Sequence, residues 1–184
     1  YENIKFVQAS QSPLLEKDGD KNTINERTTS SFVALCRKAY ENNPYSHASV
    51  LHLIRETCKK TVSIGIRNMS EEEALYVKKN NVIIYYDHET QKTGFDIPKM
   101  LSQLTDHVYL TIDVDGFSPS LVPSTGTPEP GGLEWYESLA ILKKLFQEKN
   151  VVGMDVVEHM PIKNVVHGDF SVAKLIYKCI GYKY

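Results

Sequence analysis

The stretch from Val108 to Gly132 constrains the fold of this chain more than any other part of the sequence. Its apolar start leads into Asp113 and Asp115, and a loop rich in Pro, Gly, Ser and Thr follows. This pattern is typical of a buried strand whose alternate side chains share a face, so both carboxylates should lie on one side. Adjacent carboxylates repel each other unless a cation lies between them, and hard oxygen ligands suit Mg, Ca or Mn. The stretch therefore predicts a strand that ends at a divalent cation site.

The composition indicates one ordinary globular domain. With 184 residues, 41% of them hydrophobic, the chain can bury a single core, so we expect one domain over residues 1–184. The chain has 21 basic and 23 acidic residues, which give a formal charge of −2, and the basic residues do not form a stripe. Such a balance offers no electrostatic surface to a polyanion, so nucleic acid is not expected as a partner.

Cysteine usage and hydropathy favour a cytoplasmic location. Cys36, Cys58 and Cys179 are odd in number, widely spaced and not part of a C-x-x-C motif. This fits a reducing compartment better than a disulfide framework. The sequence shows neither a signal-peptide pattern nor an apolar run of bilayer length, so we expect no membrane association.

Strand-like and helix-like segments alternate along the rest of the chain. β-prone runs predict further strands at 4–9, 61–66, 81–86 and 151–157. Apolar spacing and capping signals predict helices at 48–58, 70–79, 96–104, 133–146 and 172–180, with a capping box at Ser70 and with Asp169 or Ser171 as the last cap. Residues 16–29 are expected to form a loop, and the run 32–36 suits either a strand or the start of a helix. The alternation predicts an α/β domain with a mainly parallel sheet.

The acidic residues at strand ends form the candidate site. Ligands of parallel α/β folds gather beyond the carboxyl ends of the strands. We expect four side chains to lie there: Asp113, Asp115, Asp155 and Glu158. A bare D-x-D motif also occurs in glycosyltransferases and phosphate enzymes, so the surrounding residues decide between these classes.

Those surrounding residues resemble the ureohydrolase family, which includes arginase and agmatinase. The resemblance is carried by DVDGFSPSLVPSTGTPEPGG at 113–132, and by GMDVVE at 153–158 followed by Pro161. The segment YSHAS at 45–49 and the later Gly65-Ile-Arg67 are similar to the agmatinase branch in particular. The likeness covers residues 37–184, whereas residues 1–36 are atypical. It implies a three-layer α/β/α fold of the arginase kind.

The resemblance also implies a chemistry. Family members hold two manganese ions that activate a water to hydrolyse a linear guanidino compound, such as agmatine, to an amine and urea. Asp113 would bridge both metals and Asp115 would chelate one. Glu158 would pair with the guanidinium, His47 would pass a proton to the departing amine, and Thr127 lies in the loop that lines the pocket. A trimer or hexamer of identical chains is expected.

The sequence departs from the family at four of the six metal ligands. Those four come from a Gly-Gly-Asp-His and an Asp-Ala-His-x-Asp segment, and neither is present. Counting back from His47 without gaps puts Ser31, Val33 and Leu35 at three of the ligand positions, and a register with an insertion puts Ser10-Gln-Ser12 there instead. Three interpretations remain open. The residues before 37 do not represent the native metal-binding segment, or the chain is a non-catalytic homologue acting in assembly or regulation. In the third interpretation, a single metal supports different chemistry.

Overall fold

The computed structural model describes residues 4–9, 45, 49–58 and 60–184 of the chain. The strands are β1 Ile4–Ala9, β2 Thr61–Ile66, β3 Ile83–Tyr86, β4 His107–Asp113 and β5 Asn150–Val157. The α-helices are α1 Val50–Thr57, α2 Glu71–Lys79, α3 Asp87–Thr93, α4 Ile97–Ser102, α5 Trp135–Glu148 and α6 His167–Lys183. A 3₁₀ turn, Val114–Gly116, follows β4. The expected loop at 16–29 and the run at 32–36 lie outside the described residues.

The five strands form one parallel sheet in the order β3-β2-β1-β4-β5. This confirms the predicted α/β class. Successive strands from β1 to β3 extend the sheet in one direction, whereas β4 and β5 extend it in the other. The strand order therefore reverses between β1 and β4, and parallel α/β folds place their ligands at the carboxyl ends of the strands where such a reversal occurs.

Helices cover both faces of the sheet, which gives the three-layer α/β/α arrangement. Along β3, Ile83 and Tyr85 pack on a large core, whereas Ile84 and Tyr86 pack on a smaller one. Because alternate residues of a strand face opposite sides, the two cores lie on opposite faces of the sheet. The large core joins β4 and β5 to α4, α5 and α6, and the small core joins β2 and β3 to α1 and α2.

Gly65 marks an irregularity in β2 that matters for the site. The register of β2 against β3 shifts between Ile64 and Ile66, and Gly65 has a φ of +75°. Ile64 consequently packs in the large core and Ile66 in the small one, although a regular strand would direct both to the same face. The next residue, Arg67, is thereby free to reach the loop that follows β4.

The five predicted helices are present as α1, α2, α4, α5 and α6, but α3 was not predicted and α6 begins earlier than expected. Helix α2 begins with the expected capping box, in which Ser70 and Glu73 each satisfy the other's backbone amide. Helix α3 was not predicted, because DHETQKT contains no apolar residue and hence no amphipathic signal. Helix α6 begins at His167, before either proposed cap, and its N-cap residue makes no side-chain capping bond.

Candidate active site

Asp113 and Asp115 are buried together at the carboxyl end of β4. Their residues are 1% and 2% exposed. The reason given for their proximity was partly wrong, since β4 ends at Asp113 and Asp115 lies in the 3₁₀ turn instead of continuing the strand. The turn keeps them close by a different contact: the Asp115 amide donates to Asp113 Oδ1 at 3.0 Å. The two acids are thus held side by side at the strand-order reversal.

Thr127 contacts one of these carboxylates directly. Its Oγ1 donates to Asp115 Oδ2 at 3.1 Å across the loop formed by residues 117–132. The family resemblance placed Thr127 in this loop without assigning it a contact. The contact also orients the carboxylate, because the hydrogen bond from Thr127 fixes the directions of the lone pairs that remain on Asp115.

Glu158 directly follows β5, the strand that pairs with β4. The last residue of β5, Val157, pairs in register with Asp113, and neighbouring strands are about 4.8 Å apart. Glu158 has a φ of +63°, which is uncommon for a residue other than glycine and recurs at functional sites. Thr125 Oγ1 donates to the Glu158 carbonyl at 3.0 Å, so the 117–132 loop is tied to both candidate segments.

Arg67 connects both ends of the 117–132 loop, a role that was not predicted from the sequence. Its Nη1 donates to the carbonyls of Phe117, Glu129 and Gly131 at 3.3, 3.1 and 3.2 Å, and its Nη2 donates to the carbonyl of Asp115. The side chain is 6% exposed. The only sequence signal was its place in the Gly-Ile-Arg segment, because the carbonyls it binds are 48 to 64 residues away along the chain.

Asp87, the first residue of α3, is a second residue that the sequence did not identify. Its Oδ2 accepts a hydrogen bond from the Gly132 amide at 3.1 Å, and the residue is buried. Its position depends on helix α3, which the sequence did not predict. The missed helix therefore explains the missed site residue.

The charges around Arg67 make this edge of the sheet negative. Burial lowers the pKa of the Arg67 guanidinium, whereas the carboxylates of Glu129, Asp87, Asp115 and Asp113 raise it. Burial also raises the pKa of Glu129, and the charge of Arg67, 3.9 Å from it, partly opposes this. One cation among four carboxyl groups leaves an excess of negative charge, which favours binding of a further cation.

Asp155 does not join the carboxylates at the edge of the sheet, contrary to expectation. It lies within β5 and accepts a hydrogen bond from Thr111 Oγ1 at 2.6 Å. The pKa of Tyr109 is raised, first by its hydrogen bond to Asp155 and second by burial. Gly153 leaves room for the Tyr109 ring, which a Cβ would approach to 2.9 Å. Asp155 therefore links β4 to β5 and is not a candidate ligand.

The described residues fit part of a metal centre. Asp113 and Asp115 offer the hard oxygen donors that suit manganese or magnesium. Within the part of the chain that the structure describes, no group of three or more His, Cys, Asp or Glu side chains could hold a metal ion. His47, Ser31, Val33, Leu35 and the segment 10–12 lie outside the described residues. The described residues therefore supply two of the proposed metal ligands and not a complete set.

The fold and site define a parallel α/β protein with an acidic site at the carboxyl edge of its sheet. The sequence model of the Arginase family matches residues 35–181. The chain belongs to the arginase family, which confirms the resemblance stated from residues 113–132 and 153–158.

The curated relatives that this chain resembles include enzymes of the agmatinase branch of the family. An N(1)-aminopropylagmatine ureohydrolase of Synechocystis is 40% identical over 147 residues, covering 79% of this chain and 48% of the relative. An agmatinase of Pyrococcus horikoshii is 32% identical, covering 79% of this chain and 50% of the relative. The chain thus spans about half the length of the curated relatives it matches.

Solved structures confirm the arginase-like fold. The agmatine ureohydrolase of Thermoplasma volcanium superimposes with a TM-score of 0.75 at 25% identity, covering 98% of this chain and 55% of that one. An arginase from Bacillus subtilis gives a TM-score of 0.74 at 22% identity, which supports the fold alone. Over the described residues, every helix is too short or too polar to cross a bilayer.

Proposed function

We propose that this chain carries the substrate-facing edge and two metal ligands of an agmatinase-type ureohydrolase. The reaction is the hydrolysis of a linear guanidino compound, agmatine or an N-substituted agmatine, to an amine and urea. The observation that carries the proposal is the buried pair Asp113 and Asp115 at the end of β4, with Glu158 following the neighbouring strand, in a chain of the arginase family. We further propose a cytoplasmic homo-oligomer, a trimer or hexamer by analogy with the family.

Asp113 and Asp115 are the residues of this chain that would hold the manganese ions in this proposal. When bound, manganese supplies a nucleophile at neutral pH by lowering the pKa of water. The protein's own part is to hold both carboxylates in the correct orientation. The Asp115 amide orients Asp113, and the Thr127 hydroxyl orients Asp115.

Glu158 is the proposed partner of the substrate guanidinium. A guanidinium is planar and carries N–H donors in a fixed fork, so a carboxylate at the rim of the site both neutralises and orients it. The Thr125 hydroxyl donates to the Glu158 carbonyl and so ties the backbone of Glu158, with its unusual φ, to the 117–132 loop. His47 is proposed to protonate the departing amine, because imidazole is the commonest side chain in such proton transfers.

A second candidate is a metal-poor homologue that acts in assembly or regulation. It is favoured by the sequence, in which Ser31, Val33 and Leu35 or the segment 10–12 stand where family ligands are expected. It is also consistent with the described residues, which offer two carboxylates and no larger ligand group. Two carboxylates alone bind a divalent ion weakly and do not impose a bridged geometry.

Urea release from the purified chain distinguishes the two candidates. The chain is incubated with manganese and with agmatine, aminopropylagmatine or arginine, and bound manganese is counted by elemental analysis. The first candidate requires urea from a guanidino compound, about two manganese ions per chain, and loss of both in Asp113→Ala. Asp106→Ala, an exposed acid at the opposite end of β4, is the matched control and should behave as the wild type. Absence of urea at every manganese concentration would refute the first candidate, and two bound manganese ions would refute the second.

A further inference from the structure

A buried arginine side chain helps to close the 117–132 loop. Arg67, at the end of β2, donates to the carbonyls of Phe117 at the start of the loop and of Glu129 and Gly131 near its end. It also donates to the carbonyl of Asp115, one of the two candidate metal ligands. The path of the loop and the backbone of Asp115 therefore depend on the same guanidinium.

The convergence of these carbonyls explains why this position needs arginine. A guanidinium offers five N–H donors in one plane, whereas an ammonium is a compact charge with three donors at one point. The loop approaches the guanidinium so closely that a Cβ on Gly132 would overlap with Nη1 and lie 2.7 Å from the Phe117 carbonyl carbon. Gly132 also has a φ of +99°, which other residues rarely adopt. Arginine and glycine thus form one tightly packed unit.

Asp87 completes the closure from the neighbouring strand. It follows β3, and its Oδ2 accepts from the Gly132 amide, the last amide of the loop. Without this acceptor, the Gly132 N–H would be buried and unsatisfied, which is unfavourable. The loop is therefore anchored to the ends of β2 and β3, which are themselves fixed in the parallel sheet.

We propose that Arg67 and Asp87 are positioning residues of the candidate active site, which preform the 117–132 loop and thereby hold Asp115 and Thr127 in place. The predicted effect on catalysis rests on the proposed function, whereas the predicted effect on the order of the loop does not. Neither residue touches substrate in this proposal. Arg67 acts through the Asp115 carbonyl and the loop, and its charge also offsets the mutual repulsion of the carboxyl groups around it.

Hydrogen exchange of the full chain tests the loop directly. The reporter amides are those of Ser118, Gly132 and Leu133, of which Ser118 and Leu133 link the loop ends to each other. Arg67→Lys and Asp87→Ala should speed exchange in residues 117–132 by about tenfold or more, the equivalent of one lost buried hydrogen bond. Peptides from β4 and α5 should keep their wild-type rates. Asp87→Asn keeps an acceptor oxygen and should restore most of the protection.

Arg55→Met is the matched control. Arg55 is also buried, and donates to Thr61 Oγ1 at 2.7 Å and to the Asn80 carbonyl at 3.0 Å, away from the loop. Its loss should leave exchange in 117–132 unchanged. Wild-type loop exchange in Arg67→Lys and Asp87→Ala, or an equal acceleration in every peptide, would overturn the inference.

The catalytic consequence is measured separately. If the chain hydrolyses a guanidino compound, Arg67→Lys should lower kcat and manganese affinity by about tenfold or more, as lost outer contacts to metal ligands do, while KM changes less. Asp87→Asn should again recover most of the loss. An unchanged kcat and manganese affinity in an active chain whose loop has loosened would overturn the positioning role. A chain that releases no urea refutes the proposed function alone, and the exchange result then decides the inference.

Discussion

Two threonines of the 117–132 loop hold different parts of the candidate active site. Thr127 donates to the Asp115 carboxylate, whereas Thr125 donates to the Glu158 carbonyl. Being only two residues apart, they fix the spacing between the metal-binding and the substrate-binding segments. The loop thus sets the geometry of the site even though it supplies none of the proposed metal ligands.

Replacement of Thr127 by valine should weaken manganese binding. The substitution keeps the branched shape but removes the hydroxyl that donates to Asp115 Oδ2. Loss of such an outer contact typically lowers metal affinity by about 10–100-fold. Titration with manganese, followed by the paramagnetic signal of the free ion, measures the change. Thr93→Val, in which an exposed hydroxyl of α3 is lost, is the control and should bind as the wild type does. Equal affinities in Thr127→Val and wild type would show that the hydroxyl does not orient the ligand.

Polar side-chain hydrogen bonds stabilise the helices and strands that carry the site. The capping box at the start of α2 closes two backbone amides that would otherwise lack partners. The bond from Thr111 to Asp155 joins β4 to β5 two residues before Asp113 and three before Glu158. A register shift between Val108 and Tyr109 precedes this bond, so the polar pair fixes the strand pairing on the side of the site.

Removal of the capping box should destabilise the protein measurably. In Ser70→Ala the Glu73 amide loses its acceptor, and loss of an N-cap hydroxyl typically costs about 1 kcal/mol of unfolding free energy. Urea unfolding monitored by circular dichroism gives the value. Ser171→Ala removes a serine from within α6, where alanine is the better helix former, and should be neutral or slightly stabilising. A loss in Ser171→Ala equal to that in Ser70→Ala would contradict a capping effect.

Thr111 and Asp155 should be coupled in stability. Thr111→Val leaves a half-buried carboxylate without one donor, and Asp155→Asn removes the charge that strengthens the bond. A double-mutant cycle on unfolding free energies should give an interaction of about 1 kcal/mol, within the range for contacting residues. Each single variant should also raise the KM for a guanidino substrate, because the bond fixes the strand that ends at Glu158. Additive losses would mean that the two side chains act independently.

At the scale of the whole molecule, the site lies where the strand order reverses between β1 and β4. The alternation of strand and helix patterns predicted a parallel sheet, and the D-x-D segment predicted an acidic site at its edge. The strand order could not be read from local patterns, because it depends on which strands pair over long distances. For the same reason Arg67 and Asp87 were missed, since their partners come from distant segments. Asp155 was misplaced because its hydrogen bond to Thr111 on the neighbouring strand does not show in the local pattern, although the end of β5 at Val157 was predicted correctly.

The packing of α6 against the sheet should make the stability of the whole chain depend on alkaline pH. Cys179 lies in the large core, is 0% exposed, and burial raises the pKa of its thiol to about 11 from 9.0. Because the folded pKa is the higher one, the neutral thiol contributes stability fully below pH 9 and loses it as pH rises from 9 to 11. Two pKa units correspond to about 2–3 kcal/mol. The unfolding free energy of the wild type should therefore fall relative to that of Cys179→Ala by about this amount between pH 8 and pH 11. Tyr85 and Tyr109, whose pKa values are also raised, titrate in both proteins and cancel in the difference. A difference that stays constant with pH would show that the Cys179 thiol titrates equally in the folded and unfolded chain.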